Sequence, residues 1–387
     1  MSAPTRILLD SNATTRPLPE VVRCVADHLE SSFANPGSRH AEGRRARQVL
    51  ETSRESIAEI LGALPDEVCF VSGGTEASCL AILGLTGFPA SEPGAVAISP
   101  GEHPATRETC RHLAAFGWEI IELPLDREGR LIETRYSTLP WQRLKLVSVI
   151  LAHNETGVIQ HTAPLAALCR QHGVPLHLDA VQAVGKIRVN FRELGAAALS
   201  LGAHKFHGPR GIGALLLASG LRLTPQLFGG YQESGLRPGT EPVALIAGMA
   251  LALEQWHQNQ DSRTRKLGEL RDELQDGLLQ TCAPAVVNGS QVHRLPNTLN
   301  IAFPGLEGEP LLVALDLAGI ACSLGSACAS GSAEPAPVLV AMQCEPEILQ
   351  SSVRLTVSID NTPAEIEEAI RRIAAVVHRL RESSPAE

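Results

Sequence analysis

The sequence predicts an α/β protein, with a large domain built on a mainly parallel sheet and a smaller α+β domain. Three observations carry this expectation. Short apolar runs rich in branched residues recur between residues 67 and 218, and their unbroken hydrophobicity is that of strands covered on both faces. Stretches of helical period lie between them, and strand–helix alternation of this kind builds a parallel sheet. Near Glu254 the alternation gives way to a long polar helical stretch and then to isolated strand-like runs.

The first strong helix is predicted over 38–63, where Val49, Ser53, Ile57, Ile60 and Leu61 share one face. Strands are predicted within 67–74, 94–100, 118–124, 144–154, 174–180 and 211–218, each a short apolar run. A helix at 163–173 ("APLAALCRQHG") separates two of them. One continuous helical stretch, 253–282, then bridges to a strand at 295–303 ("LPNTLNIAF"), a helix at 309–319 ("EPLLVALDLAG") and a strand at 351–359 ("SSVRLTVSI"). The expected division is 15–255 for the large domain, and 1–14 with 256–387 for the small one.

Composition narrows the function. With 387 residues, 44% hydrophobic and 19% charged, the chain is that of a soluble globular protein with a large core. A net charge of −9, no basic run and 3% aromatics argue against a nucleic-acid surface. No apolar run is long enough to span a membrane, and the start, "MSAPTRILLD", is not a secretory signal. A cytoplasmic, reduced protein is expected. Nine cysteines in a chain of this size do not make a disulfide framework, and Cys69, Cys79, Cys169 and Cys282 sit in apolar stretches as core residues. Cys328 differs. It stands in "LGSACASGS" (324–332), a stretch of small residues where a thiol is accessible and the backbone is little restricted.

Polar residues at the strand ends mark the chemistry, because ligands of α/β sheets sit outside the carboxyl ends of the strands. "SGGTEA" (72–77) offers glycines and a helix start that suit a phosphate, although an ordinary helix cap reads the same way. It is not a P-loop, since no G-K-[ST] follows. Asn154 in "LAHNETG" is a turn former or an amide facing a ligand. Asp179 in "LHLDAVQAVGK" caps a helix or holds a buried cation. Lys205 in "LSLGAHKFHGPRGIG" lies between strand-like apolar segments, where desolvation turns a lysine amine into a nucleophile for an aldehyde. A phosphate cradle, an acid and a lysine together are the demands of pyridoxal phosphate.

At this point the chain resembles the cysteine desulfurases of the NifS/IscS type, within the class V aminotransferase group of fold-type I pyridoxal phosphate enzymes. The likeness runs in order through "DSNATTRPLPEV", "ANPGSRH", "SGGTEA", "EHPA", "HNETG", "LDAVQAVGK", "AHKFHGPRGIG", "RPGTEP", "PNTLNIAF", "GSACASGSAEP" and "SSVRLTVS". It implies a seven-stranded sheet in the large domain and pyridoxal phosphate bound through Lys205. Asp179 would pair with the ring nitrogen, Gln182 would bond the phenolic oxygen, and His103 would stack on the ring and pass protons. Gly74, Thr75 and His204 would hold the phosphate, with Thr240 reaching over from the other subunit of a homodimer. Asn154 would contact cofactor and substrate, and Arg354 would clamp the substrate carboxylate. Free L-cysteine would give up its sulfur to Cys328 as a persulfide, for delivery to an acceptor such as an iron–sulfur scaffold, and leave as L-alanine.

Some positions depart from the family pattern. Gly202 stands where a serine usually contacts the phosphate, which removes one donor. Leu324 replaces a serine, Cys322 precedes Cys328 by six positions, and 358–362 ("SIDNT") differs from the usual segment after Arg354. Rival readings are a selenocysteine or cystine lyase or an aminotransferase-like relative of the same group, and a redox sensor or nucleotide-binding scaffold. The last calls for a G-x-G-x-x-G after the first strand, which the sequence lacks. A zinc site is disfavoured because there is no C-x-x-C pair.

Overall fold

A computed structural model describes residues 6–89, 92–324 and 335–383. Its strands, in chain order, are β1 (Ile7–Leu8), β2 (Val68–Val71), β3 (Ala95–Ile98), β4 (Glu119–Glu122), β5 (Leu144–Ile150), β6 (Leu176–Asp179), β7 (Ala198–Gly202), β8 (Gly213–Leu217), β9 (Val286–Val287), β10 (Thr298–Ala302), β11 (Ile320–Ala321) and β12 (Ser352–Thr356). The helices are α1 (Pro19–Ser31), α2 (Ala41–Leu61), α3 (Gly74–Thr86), α4 (Pro104–Ala115), α5 (Ala163–His172), α6 (Phe191–Leu194), α7 (Val243–Gln258), α8 (Gln260–Thr281), α9 (Gly308–Leu317), α10 (Pro337–Ala341), α11 (Pro346–Ser351) and α12 (Pro363–Ser383).

The predicted α/β class is observed. The large sheet has seven strands in the order β2-β8-β7-β6-β5-β3-β4. Every neighbouring pair is parallel except the two that β8 makes, with β2 and with β7. β2, β3, β6, β7 and β8 are buried along their whole length, because helices cover both faces. Register carries Ile150 beside Asp179 and Asp179 beside Ser200, which brings the carboxyl ends of β5, β6 and β7 to one edge. The second sheet is antiparallel, β12-β10-β9, and β1 pairs with β11 in a separate two-stranded ribbon.

Two large apolar clusters follow these sheets. One gathers Leu50, Ile57, Phe70, Val147, Leu178, Leu199, Met249 and Trp256 around the seven-stranded sheet. The other gathers Leu9, Leu267, Leu274, Leu299, Leu311, Val353 and Ile373. Between them lies a departure from expectation. The single helical stretch predicted over 253–282 is two helices, broken at Asn259 (φ −120°, ψ 14°). Trp256 belongs to the first cluster and Leu267 to the second, so the break lets the chain serve two cores that one straight helix could not face. The apolar face of α2 also differs. Ala46, Leu50, Ser53, Ile57 and Leu61 are buried, whereas Val49 and Ile60 are only half-buried. The buried set advances by three or four residues, as a helix requires.

Candidate active site

The carboxyl edge of the large sheet gathers most of the predicted residues. Lys205 ends the short 3-10 turn that follows β7, and its Nζ donates to the backbone oxygens of Asn12 at 2.6 Å and Ala13 at 2.9 Å. Asp179 is the last residue of β6 and is buried. Its Oδ1 accepts from Val181 N at 3.0 Å, and it makes no ion pair among the described residues. Burial pushes its carboxyl up, against the pull of His103 and Lys205. His103 precedes α4, and its Nδ1 accepts the Ala105 N–H at 3.1 Å, which leaves the proton of the neutral ring on Nε2. Burial holds this imidazole below its ordinary range, with Asp179 opposing and Lys205 assisting.

The start of α3 lies against the same edge. A Cβ added at Gly202 would stand 3.3 Å from Gly74 N, and one at Gly74 would meet the Val181 side chain at 2.5 Å, so β7 and the loop after β6 close on the first turn of α3, which carries Thr75. The first-turn N–H groups of a helix lack intrahelical partners and suit a phosphate. His204 flanks this cradle, with Nδ1 3.1 Å from Thr14 Oγ1, and burial pushes its ring down to about 4.

Sequence reasoning passed over the residue that ties the site together. Asn12 donates its backbone N–H to Thr356 Oγ1 (3.0 Å) and its side-chain amide to Asn154 O (2.9 Å) and Thr298 Oγ1 (3.0 Å). Its Oδ1 accepts from Lys186 Nζ (2.8 Å) and Asn297 Nδ2 (3.0 Å), and its backbone oxygen from Gln182 Nε2 (2.9 Å) as well as Lys205. Lys186 was also missed. It is fully buried and donates to Gln182 Oε1, while burial and then the charges of Lys205 and Arg354 push its ammonium well below its usual range. The Gln182 amide therefore presents its oxygen to Lys186 and its Nε2 to the Asn12 carbonyl.

Arg354 lies on β12 and is buried rather than exposed on its strand. Its Nη2 meets Asp10 Oδ1 at 2.8 Å, and its Nη1 meets Glu155 Oε1 at 2.9 Å and Asn154 O at 3.4 Å. Asn154 Nδ2 in turn donates to Glu155 Oε1 at 2.6 Å. The two residues expected to hold a substrate carboxylate thus stand together, both against one glutamate. Of the departures, Cys322 is half-buried with its thiol pushed up to about 12 by burial and then by Asp10, which is the state of a packed, inert cysteine. Leu324 packs near Gly308, and Ser358, Asp360 and Asn361 form a hydrogen-bonded turn of their own. Thr240 is exposed on the segment before α7. Cys328 lies outside the described residues.

The donor set fits pyridoxal phosphate. Asp179 is a buried acid with no ion-pair partner among the described residues, a glycine-lined cradle stands at a helix start, and a lysine projects into the same edge. Among the described residues no group of side chains is arranged to hold a metal ion, and no helix is long and apolar enough to cross a membrane.

Comparison with known proteins agrees. Residues 7–369 match the model of the family described as aminotransferase class-V. The chain is 40% identical to a cysteine desulfurase NifS of Azotobacter vinelandii, over 98% of this chain and 94% of that one. It is 38% identical to a cysteine desulfurase IscS of Dictyoglomus turgidum, over 98% and 96%. Among solved structures it superposes on a NifS-like protein with a TM-score of 0.91 and 30% identity, covering 97% of this chain and all of the other. A NifS-like protein from Rickettsia africae gives a TM-score of 0.87 at 30% identity, over 96% and 99%.

Proposed function

Because this chain belongs to the class-V aminotransferase family, among its cysteine desulfurases of NifS/IscS type, we propose that it takes sulfur from free L-cysteine, leaving L-alanine and a persulfide on Cys328. The observation that carries this reading is the meeting of Lys205, His103 and Asp179 at one strand edge, within electrostatic reach of one another. Pyridoxal phosphate would be held at its phosphate by Gly74, Thr75, Gly202, His204 and Thr240 of the partner subunit, at its ring by Asp179, Gln182, His103 and Asn154, and at its aldehyde by Lys205. When bound, it supplies an electron sink that stabilises negative charge at the substrate Cα and so loosens the bond from Cβ to sulfur.

The chain's own residues do the rest. Arg354 and Asn154 orient the substrate carboxylate, and the amine of Lys205 carries the proton from Cα. His103, held neutral by burial, is ready to accept and return a proton through Nε2. The Cys328 thiolate takes the sulfur atom, and a proton delivered to the former Cβ completes alanine. We assign 15–255 to the large domain and 1–14 with 256–387 to the small one, a division the two apolar clusters support except at Trp256 on the boundary, at Leu295 and at Ala336, Val338, Leu339 and Met342, which pack with the first. The acceptor is a protein of iron–sulfur assembly or a related sulfur pathway, reached by a cytoplasmic homodimer.

The test is direct. The purified protein is expected to be yellow, and borohydride reduction to leave the cofactor on the peptide that contains Lys205. Incubation with L-cysteine is expected to yield alanine and a persulfide on Cys328. Sulfur delivery by Cys328→Ser at the parental rate would falsify the assignment.

A further inference from the structure

Glu155 has no role in the scheme above, yet its Oε1 alone holds both residues assigned to the substrate carboxylate, Asn154 Nδ2 at 2.6 Å and Arg354 Nη1 at 2.9 Å. Its Oε2 is buried with no hydrogen-bond partner among the described residues. Asp10 takes the other arm of the guanidinium at 2.8 Å. One cation therefore already faces two carboxylates. A docking substrate brings a third to a place where the Arg354 side chain is 2% exposed. Three anions around one cation, away from water, are stable only when one of them is neutralised.

Geometry selects Glu155 for that neutralisation. Its side chain is 6% exposed against 23% for Asp10, and Asp10 Oδ1 has a further donor in Ser323 Oγ at 3.0 Å. The histidine that contacts Glu155 and the cysteine beside Asp10 are silent near neutrality, and Lys186 bonds Asn12 and Gln182 rather than Glu155. His153, whose Nδ1 accepts the Glu155 N–H at 3.1 Å, is pushed down to about 4 by burial. Cys322, within reach of Asp10 and Arg354, is pushed up to about 12. β10 contributes Asn300, whose amide donates to Glu155 O at 3.4 Å and carries no charge.

We propose that Glu155 is a positioning residue whose carboxyl takes up a proton from solvent when the substrate carboxylate docks on Arg354, so that substrate binding is proton-linked. The inference rests on the reading of Arg354 as the carboxylate clamp. Burial, opposed by Arg354 and reinforced by Asp10, sets the Glu155 carboxyl at about 7. Below that value Glu155 is neutral and Arg354 has charge to offer. Above it Glu155 is ionised and Arg354 is already compensated, so affinity falls as pH rises through this range.

The experiment compares L-alanine with ethylamine, the same amine without its carboxylate, on the holoenzyme. Calorimetry in two buffers of different ionisation heat counts the protons taken up, and amine chemistry common to both ligands cancels in the difference. At about pH 7.5 alanine is expected to take up most of one proton more than ethylamine. Its dissociation constant relative to that of ethylamine is expected to rise about tenfold between about pH 6 and pH 8. In Glu155→Gln both the excess proton and the slope are expected to vanish. Persistence of either in that variant overturns the proposal. So does a wild-type holoenzyme with no excess proton, a result that stands even if the variant does not fold. If alanine binds no better than ethylamine at any pH, the reading of Arg354 itself fails, and the proposal falls with it.

Discussion

Gly185→Ala tests how the site lysine is held. Gly185 has φ +77°, and a Cβ there would stand 2.1 Å from Cβ of Phe206, the residue after Lys205. Phe206 is 1% exposed. Left-handed backbone strain at a non-glycine residue costs about 1–3 kcal/mol, and overpacking of a filled core costs about 1–3 kcal/mol more. The sum is about 2–6 kcal/mol of stability. Relief requires Phe206 to move, and Lys205 with it, so borohydride fixation of the cofactor should slow as stability falls. Gly268→Ala is the paired control. It lies inside α8 with nothing within 4 Å of the added carbon, and it should gain about 1 kcal/mol from helix propensity. Urea unfolding of both variants beside the parent measures the two effects. If Gly185→Ala lies within about 1 kcal/mol of the parent, the cost assigned to strain and crowding is wrong.

Three further outcomes are expected. Glu233 Oε1 and Oε2 hold Arg54 at 2.7 and 2.9 Å, and Oε2 also accepts Phe70 N at 2.8 Å. Glu233→Ala leaves a mostly buried guanidinium with only Glu51 Oε2 at 3.1 Å and the Val68 carbonyl as partners and should cost about 2–4 kcal/mol in urea unfolding, with less than about 1 kcal/mol showing that Glu51 and water compensate Arg54. His177 bridges Ser148 Oγ and Ser200 Oγ at 2.8 Å each, and burial pushes it down to about 3. The unfolded histidine titrates near about 6.5 and binds the proton that the native one refuses, so stability falls as pH drops below that value, by about 1.4 kcal/mol per pH unit from this group. His177→Gln should flatten the acid limb of the stability profile by one proton, and an unchanged limb would show that the native ring is protonated. Gly202→Ser restores a hydroxyl beside the Gly74 N–H cradle and should tighten binding of pyridoxal phosphate to apoprotein about 2- to 10-fold, read by fluorescence titration. Weaker binding would mean that the 3.3 Å approach to Gly74 N leaves no room for the added Cβ.

The strands and the edge residues were legible because they break a local rule. Asp179 and Lys205 interrupt or end apolar runs, and a charge in such a place needs an explanation. Asn12 broke no rule, since an asparagine in "DSNATT" reads as a turn and its partners lie 142 to 344 positions away. Lys186 looked like a surface lysine after a glycine, and residues distant in sequence, Asn12 among them, bury it. Glu155 was hidden by its neighbour Asn154, because nothing local tells which of two polar turn residues faces inward. On α2 the buried Ser53, Ile57 and Leu61 were legible, but Val49 was read in place of Leu50, since the two are equally apolar and only the elements packed on that helix, α7 above all, decide between them.

The bonds of Asn12 have a temporal side. Its partners Asn154, Gln182, Lys186 and Lys205 come from the middle of the chain, and Asn297, Thr298 and Thr356 from its last third. A ribosome adding about 5–20 residues each second needs roughly 17–70 s to travel from Asn12 to Thr356. Once residue 217 has been added, every strand of the seven-stranded sheet has been synthesised together with Lys205, but Asn12 still lacks Asn297, Thr298 and Thr356. A nascent chain interrupted before residue 350 therefore holds a lysine and no finished pocket. Loading with an aldehyde cofactor belongs to the completed polypeptide, and a truncated product would be a colourless protein with a largely intact sheet.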